Sequence, residues 1–338
     1  MSDLSIMGLD DFTDFELSQF KKDKKEDITR LLSVGISTKD ICNLKCRYCY
    51  GDQDHKRNSE LLSKEEQIGI IDQAYNCGSK TLIICADWEP TMDENLVPII
   101  KFAYSKGMTT VLFTNGLIFG NDNLAQKLHN MSSKNLADFC YSHNCSLMMK
   151  LDSLEKDTYE NIVAVKGSYQ DLKSALGNLM DVGYGKVIRD GDAKITKWAF
   201  AAVVLKPNFE EIPKLKKFAD DNNAQFICKL PAIINRATEN RALMFPTEEY
   251  DKIRSEYLSK YSDRKETLTV ADNCMAWFYG IVFDNVGEAR QCYTLPYKNG
   301  EGLGNIREKS LTDILSEKKL EFELNQGWPC PAKRTIHN

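Results

Sequence analysis

The chain has 338 residues, 42% hydrophobic and 28% charged, with a net charge of −5 and a pI near 5.6. This is the composition of a globular rather than a disordered chain, and without a long Lys/Arg block no nucleic-acid partner is expected. Met1 to Asp14 is acidic and lacks the apolar stretch of a signal peptide. The longest apolar run, Trp198 to Leu205, is far shorter than the about 20 residues a membrane-spanning helix needs. A soluble, cytoplasmic protein with no membrane partner is expected.

Eleven cysteines are many for such a chain, and their number is odd. A disulfide framework is therefore not expected, and clustered cysteines point to metal or redox chemistry. Cys77, Cys85 and Cys140 fall in apolar helix or strand patterns and read as core residues. Lys21-Lys22 and Lys24-Lys25 sit among acidic residues and read as a solvated face.

Residues 1–30 form an acidic, partly amphipathic N-terminal extension, placed to cover the mouth of the next domain or meet a partner. Leu32–Thr38 is the first expected strand. Ser63 and Glu66 form a capping box that opens a helix through about Asn76. Thr81–Ala86 is the second strand, and Asp93 is expected to cap a helix ending at Gly107. Thr109–Thr114 is the third strand, closed by Asn115-Gly116, and a looser helical region from Asn121 to about His143 leads to the fourth, Cys145–Leu151. A helix at Tyr169–Val182, a strand at Trp198–Leu205, a helix at Pro213–Asn222 and a strand at Gln225–Leu230 complete the series.

Strands alternating with helices predict a parallel sheet, and near-continuous apolar runs fit strands buried on both faces. Periodicity does not separate a partly closed barrel from an open doubly wound sheet. In both, the site lies at the C-terminal ends of the strands.

Beyond Leu230 the pattern changes. An amphipathic helix is expected over 247–260, then a hairpin of Trp277–Phe283 and Glu288–Cys292, then a short helix at Ser310–Leu315. Residues 31–230 are read as the main domain and 231–338 as a smaller module carrying cysteines.

Cys42, Cys46 and Cys49 lie in one loop directly after the first strand. A structural zinc site takes four protein ligands, and only His55 is near enough in sequence to serve as the fourth. Coincidental packing conflicts with the polar Lys45 and Arg47 between the cysteines. An iron–sulfur cluster held by three thiolates leaves one iron open to a small molecule, which suits catalysis better than electron storage.

The run Cys42-Asn43-Leu44-Lys45-Cys46-Arg47-Tyr48-Cys49, with its aromatic residue before the last cysteine, resembles the cluster loop of the radical S-adenosylmethionine (SAM) superfamily. The resemblance implies an α/β fold, a partial (β/α)6 TIM-like barrel. It implies a [4Fe–4S] cluster on Cys42, Cys46 and Cys49 whose open iron binds SAM, and reductive cleavage of SAM to a 5′-deoxyadenosyl radical that abstracts hydrogen from substrate.

Further segments carry the resemblance. Asp87-Trp88-Glu89-Pro90 is similar to the family's Gly-Gly-Glu-Pro segment, with both glycines replaced, which implies SAM binding near Glu89. Thr114-Asn115-Gly116 resembles a segment lining the SAM pocket, though a plain strand-exit turn has the same look. Lys150-Leu151-Asp152-Ser153 resembles the strand end that meets the SAM ribose and carboxylate; Lys150 and Asp152 are costly at a buried strand end unless paired. Tyr48 joins the expected SAM-binding set.

Cys274, Cys292 and Cys330, around the Gly304-Asn305-Ile306 stretch, resemble the twitch version of SPASM-like auxiliary-cluster domains. This implies an α+β C-terminal auxiliary-cluster module with a second [4Fe–4S] cluster whose fourth ligand is substrate, Cys228 or His337; otherwise the three cysteines are structural. Cys228 is alternatively a hydrogen donor to a substrate radical, or a core residue.

The expected partners are a polar small molecule or a peptide, together with an electron donor such as flavodoxin or ferredoxin. The short stretch before the first strand leaves no room for a peptide-recognition domain, which favours a small metabolite undergoing oxidation or epimerisation. The rival of another class is an iron–sulfur electron carrier.

Overall fold

The computed structural model describes residues 4–51, 60–85, 88–189, 194–264, 279–290 and 302–317. In chain order the opening elements are β1 (Leu4–Ile6), α1 (Asp14–Glu26), β2 (Ser33–Ile36), α2 (Lys64–Asn76), β3 (Thr81–Ile84), α3 (Leu96–Ser105), β4 (Thr109–Thr114), α4 (Asp122–His129) and α5 (Ser133–Ser142). Then follow β5 (Cys145–Lys150), α6 (Lys156–Val163), α7 (Ser168–Val182), β6 (Lys194–Thr196), β7 (Trp198–Val203), α8 (Ile212–Asp221), β8 (Gln225–Lys229), β9 (Gly280–Phe283) and β10 (Ala289–Arg290).

The main sheet runs β10-β9-β2-β3-β4-β5-β7-β8, parallel throughout except for the β9–β10 hairpin. The six strands expected from the apolar runs are all present, in sequential order. The sheet does not close: β8 and β10 are its edges. This is the partial barrel that the resemblance implied.

Alternation along the strands divides the core in two. Val34, Ile36, Leu82, Ile84, Leu112, Leu147, Phe200 and Phe226 pack outward against the helices, joining Ile70, Ile71, Leu96 and Leu215. The opposite face, inside the curve, carries Ile83, Phe113, Met148, Ala199 and Ile227.

The N-terminal segment packs against this inner face, where Ile6 and Leu9 meet Met148, Ala199 and Phe113, and Phe20 meets Ile83 and Tyr279. Its backbone is tied to the starts of the strands: Ser146 Oγ donates to Met7 O at 2.9 Å and Gln225 Nε2 to Leu4 O at 2.9 Å. The extension therefore fills the N-terminal end of the open barrel instead of covering its mouth, because its apolar side chains fit the exposed inner face there. Lys24 departs from the expected solvated face: it is fully buried and donates to the carbonyls of Ile28 (3.2 Å) and Arg30 (2.5 Å).

Local signals held with some adjustments. Ser63 and Glu66 form the expected capping box. Asp93 does not cap α3; its carboxylate takes the amides of Asn95 and Lys39 at 3.0 and 3.3 Å, and the helix begins at Leu96. The region 121–143 is broken into α4 and α5 at Asn130, whose φ of 54° ends the first helix. Residues 247–261 form a helical run interrupted by a π-turn at Ile253–Leu258.

The hairpin expected over 277–283 and 288–292 is present as β9 and β10. It is hydrogen-bonded onto β2 in parallel, with Ser33 opposite Gly280, so it extends the barrel sheet. No described helix is long and apolar enough to cross a membrane.

Candidate active site

The cysteine loop leaves the C-terminal end of β2 and is held by the end of α6. A helix leaves its last carbonyls unpaired, and here the loop supplies the donors. Lys45 N donates to Val163 O at 3.1 Å, Arg47 N to Ile162 O at 3.0 Å, and the Arg47 guanidinium to Asn161 O at 2.8 Å. A cation at a helix C-terminus also suits the helix dipole. Ala164, with a φ of 54°, turns the chain away so that these carbonyls stay open to the loop.

Within the loop, Leu44 N points at Cys42 Sγ (3.4 Å) and Cys49 N donates to Cys46 O (3.1 Å). The three thiols are electrostatic neighbours, and burial is the main cause that pushes Cys42 up to about 12 and Cys46 higher still. Glu89 adds to the rise at Cys42 and Asp152 to that at Cys46. Thiols so placed become ligands only when a metal charge offsets the burial. Among the described residues, no three His, Cys, Asp or Glu side chains converge as the ligands of a single ion would. Three neighbouring thiol donors in one loop are a donor set that an iron–sulfur cluster with one open iron takes.

Glu89 is buried beside the loop. Its carboxylate accepts from Thr91 N (3.1 Å), Thr91 Oγ1 (2.7 Å), Thr114 Oγ1 (2.5 Å) and Asn115 N (2.7 Å). Burial raises its pKa, and the four donors oppose that rise. Glu89 N donates to Ile41 O at 3.0 Å, and Asn115 Nδ2 to Asn43 Oδ1 at 2.7 Å, so the turns after β3 and β4 are both tied to the cysteine loop.

The other side of the loop meets the end of β5. The Tyr48 hydroxyl donates to Asp152 Oδ2, Val203 N donates to Asp152 Oδ1 at 2.8 Å, and Lys150 Nζ lies 3.1 Å from the same oxygen. The Lys150 ammonium also stands 5.0 Å from the Tyr48 ring centroid. The costly pair at the strand end is thus paired, and Lys150 keeps 32% of its side chain exposed. Asn208, buried, donates to the carbonyls of Asp152 (2.7 Å) and Val203 (2.9 Å), fixing the ends of β5 and β7.

The structure therefore brings Cys42, Cys46, Cys49, Tyr48, Glu89, Thr114, Asn115, Lys150 and Asp152 to one end of the sheet. Cys274, Cys292, Cys330, His337 and Asp87 lie outside the described residues. Cys228 is buried on the same face of β8 as Phe226, as the core-residue reading expects. Cys77 and Cys140 are buried as expected, and Cys85 packs beside the inner cluster of Phe20 and Ile83. Sequence reasoning missed Asn43, Asn208 and α6. Of these, Asn43 had a usable signal, its place inside the cysteine loop.

Comparison with known proteins agrees with this geometry. Fe-coproporphyrin III synthase of Methanosarcina barkeri is 25% identical over 265 residues, 76% of this chain, and the chain spans only 58% of that protein's length. PqqA peptide cyclase of Rhizobium meliloti is 23% identical, with 82% of this chain and 71% of the relative covered. Among solved structures, Streptococcus suis SuiB bound to S-adenosylmethionine superposes with a TM-score of 0.61 at 17% identity, covering 94% of this chain and 74% of SuiB. The sequence profile described as the radical SAM superfamily matches residues 36–219, the segment that runs from the end of β2 through α8 and includes the cysteine loop. The chain belongs to the radical SAM superfamily.

Proposed function

We propose that Cys42, Cys46 and Cys49 hold a [4Fe–4S] cluster by three of its irons. SAM then sits between the cysteine loop and the ends of β3, β4 and β5, in reach of Tyr48, Glu89, Thr114, Asn115, Lys150 and Asp152. The observation that carries this is the convergence of two buried carboxylates, Glu89 and Asp152, on opposite sides of one three-thiol loop. When bound, the cluster supplies the electron that cleaves SAM to a 5′-deoxyadenosyl radical.

The protein's own part is positional. Glu89 holds the Thr114-Asn115 turn by accepting two hydrogen bonds, from the Thr114 hydroxyl and the Asn115 amide. Asp152 fixes the Tyr48 ring through its hydroxyl, and Lys150 presents an ammonium, partly exposed, beside that ring. The filled N-terminal end of the barrel leaves the mouth as the route for substrate.

The substrate in this reading is a polar small metabolite of the sugar, nucleoside or amino-acid type, oxidised or epimerised in a biosynthetic tailoring pathway by an oxidoreductase-type reaction. A flavodoxin or ferredoxin is the electron donor. A second reading, maturation of a ribosomally made peptide, is favoured by similarity over most of the chain to PqqA peptide cyclase and to the fold of SuiB. Cys274, Cys292 and Cys330, in the module proposed at 231–338, are the ligands proposed for an auxiliary [4Fe–4S] cluster.

Iron and sulfide content tests the cluster assignment. The anaerobically reconstituted protein is expected to hold about eight irons per chain, two clusters' worth. Cys274→Ala should remove about half, and Cys42→Ala/Cys46→Ala/Cys49→Ala the other half. About four irons, unchanged in Cys274→Ala, would overturn the second cluster; full iron in the triple variant would overturn the first. For substrate class, deuterium transfer into 5′-deoxyadenosine from labelled metabolites or from labelled peptides separates the two readings.

A further inference from the structure

The segment after β8 returns across the cysteine loop. Asn235 Nδ2 donates to Tyr50 O, and Asn240 links the segment to Arg47, accepting from its guanidinium at 3.5 Å while donating to Arg236 O at 2.9 Å. Ala237 and Met244 pack in one apolar cluster with Tyr48, and Cys46 packs against it. Asn235 holds φ 48° and ψ −126°, a conformation side-chain-bearing residues rarely adopt. The turn into Arg236 is thus held at a local cost by contacts to the loop on both sides of it.

These contacts set Arg236 beside the cysteine loop, with its guanidinium charge within electrostatic reach of Cys42. Its Nη1 is buried and has no hydrogen-bond partner among the described residues. A buried guanidinium N–H left unpaired is expensive, so an acceptor at this position is called for. The Lys150–Asp152 pair influences Cys46 instead, on the other side of the loop.

We propose that Arg236 donates an N–H···S hydrogen bond to the iron–sulfur cluster at its Cys42 corner and thereby raises the cluster's reduction potential. This rests on the assignment of the cluster to Cys42, Cys46 and Cys49. Reduction adds one negative charge to a centre that three thiolates already make anionic. A neighbouring fixed cation and a hydrogen bond to sulfur stabilise the reduced form more than the oxidised form. Arg236 is in this account a positioning and tuning residue, set on the loop by Asn235 and Asn240.

The test is a redox titration of the reconstituted full chain, followed by the electron paramagnetic resonance signal of the reduced cluster without SAM, on wild type, Arg236→Gln and Arg236→Lys. At the potential where the wild-type cluster is half reduced, Arg236→Gln should show a reduced-to-oxidised ratio about tenfold lower, about 59 mV for a one-electron couple. Arg236→Lys keeps the charge and should show a smaller drop. Iron content and SAM affinity of both variants should match wild type. An unchanged ratio with full iron content overturns the proposal. So does an unchanged ratio with weakened SAM binding, which would assign the guanidinium to the SAM carboxylate. If Arg236→Gln fails to hold iron, the Lys variant decides, with a wild-type ratio overturning the proposal. Wild-type protein without iron at Cys42, Cys46 and Cys49 fails the cluster assignment itself and is read directly from the iron count.

Discussion

The Tyr48 hydroxyl donates a hydrogen bond to the Asp152 carboxylate across 104 positions of sequence, latching the cysteine loop to the end of β5. Both groups are buried, and a hydrogen bond to a carboxylate is stronger than one to a neutral acceptor. Tyr48→Phe should cost about 1–3 kcal/mol by urea denaturation, since it removes a donor from a buried carboxylate. The rest of the Asp152 partners, Val203 N and Lys150, remain in place. A loss below about 0.5 kcal/mol, the range of ordinary surface changes, would show that the latch is energetically idle.

Glu89 ties three turns together, and a Gln in its place can accept on only one terminal atom. Its amide would face the donors of Thr114, Thr91 or Asn115 with a donor of its own. Glu89→Gln is expected to destabilise the protein by about 2–3 kcal/mol and to weaken SAM binding, read by thermal denaturation and equilibrium dialysis. Wild-type values in both would remove Glu89 from the organising role given to it.

The N-terminal segment should behave as part of the barrel core. Phe20, packed on Ile83 and Tyr279 with ring centroids 5.4 Å apart in the aromatic pair, leaves a cavity when shortened. Phe20→Ala should cost about 3 kcal/mol. Phe15, exposed on the same helix, should be nearly neutral when replaced by Ala. Equal effects of the two substitutions would contradict the packing described.

Acid stability carries the signature of one cross-link. Glu66, the capping-box residue of α2, is held down to about 2 by Arg307 and by the Ser63 amide. A carboxyl lowered in the folded state contributes stability above its ordinary pKa of 4.5, and that contribution disappears as pH falls toward 2. Wild type should therefore lose stability relative to Arg307→Ala between pH 4.5 and 2, and the two should differ by about 1 kcal/mol or less at pH 7, because the pair is solvent-screened. A difference independent of pH would assign the Arg307 effect to packing.

Much of this was legible in the sequence, for identifiable reasons. Strands buried on both faces read as continuous apolar runs, so β3, β4, β5, β7 and β8 stood out, and three cysteines in one loop marked the site before any fold was known. Lys150 and Asp152 were flagged as a pair because charge at a strand end demands a partner. What stayed hidden depends on long-range contact. Helix α6 buries only Tyr159, Ile162 and Val163, too few for a clear period, yet its open carbonyls hold the cysteine loop. Helix α1 is mostly polar in sequence, and its two buried residues, Phe20 and Lys24, include a lysine satisfied by two carbonyls. Arg236 lies 187 positions after Cys49, in a segment with no motif, and only the folded chain returns it to the loop.

The most direct measurement is 5′-deoxyadenosine formed from SAM by the anaerobically reconstituted, reduced protein, beside the Cys42→Ala/Cys46→Ala/Cys49→Ala variant. The account expects the wild type to form it and the variant to form none, with the yield rising when a true substrate is supplied. No 5′-deoxyadenosine from iron-loaded wild type, with or without candidate substrates, would contradict it and leave the three-thiol loop as the anchor of an electron carrier.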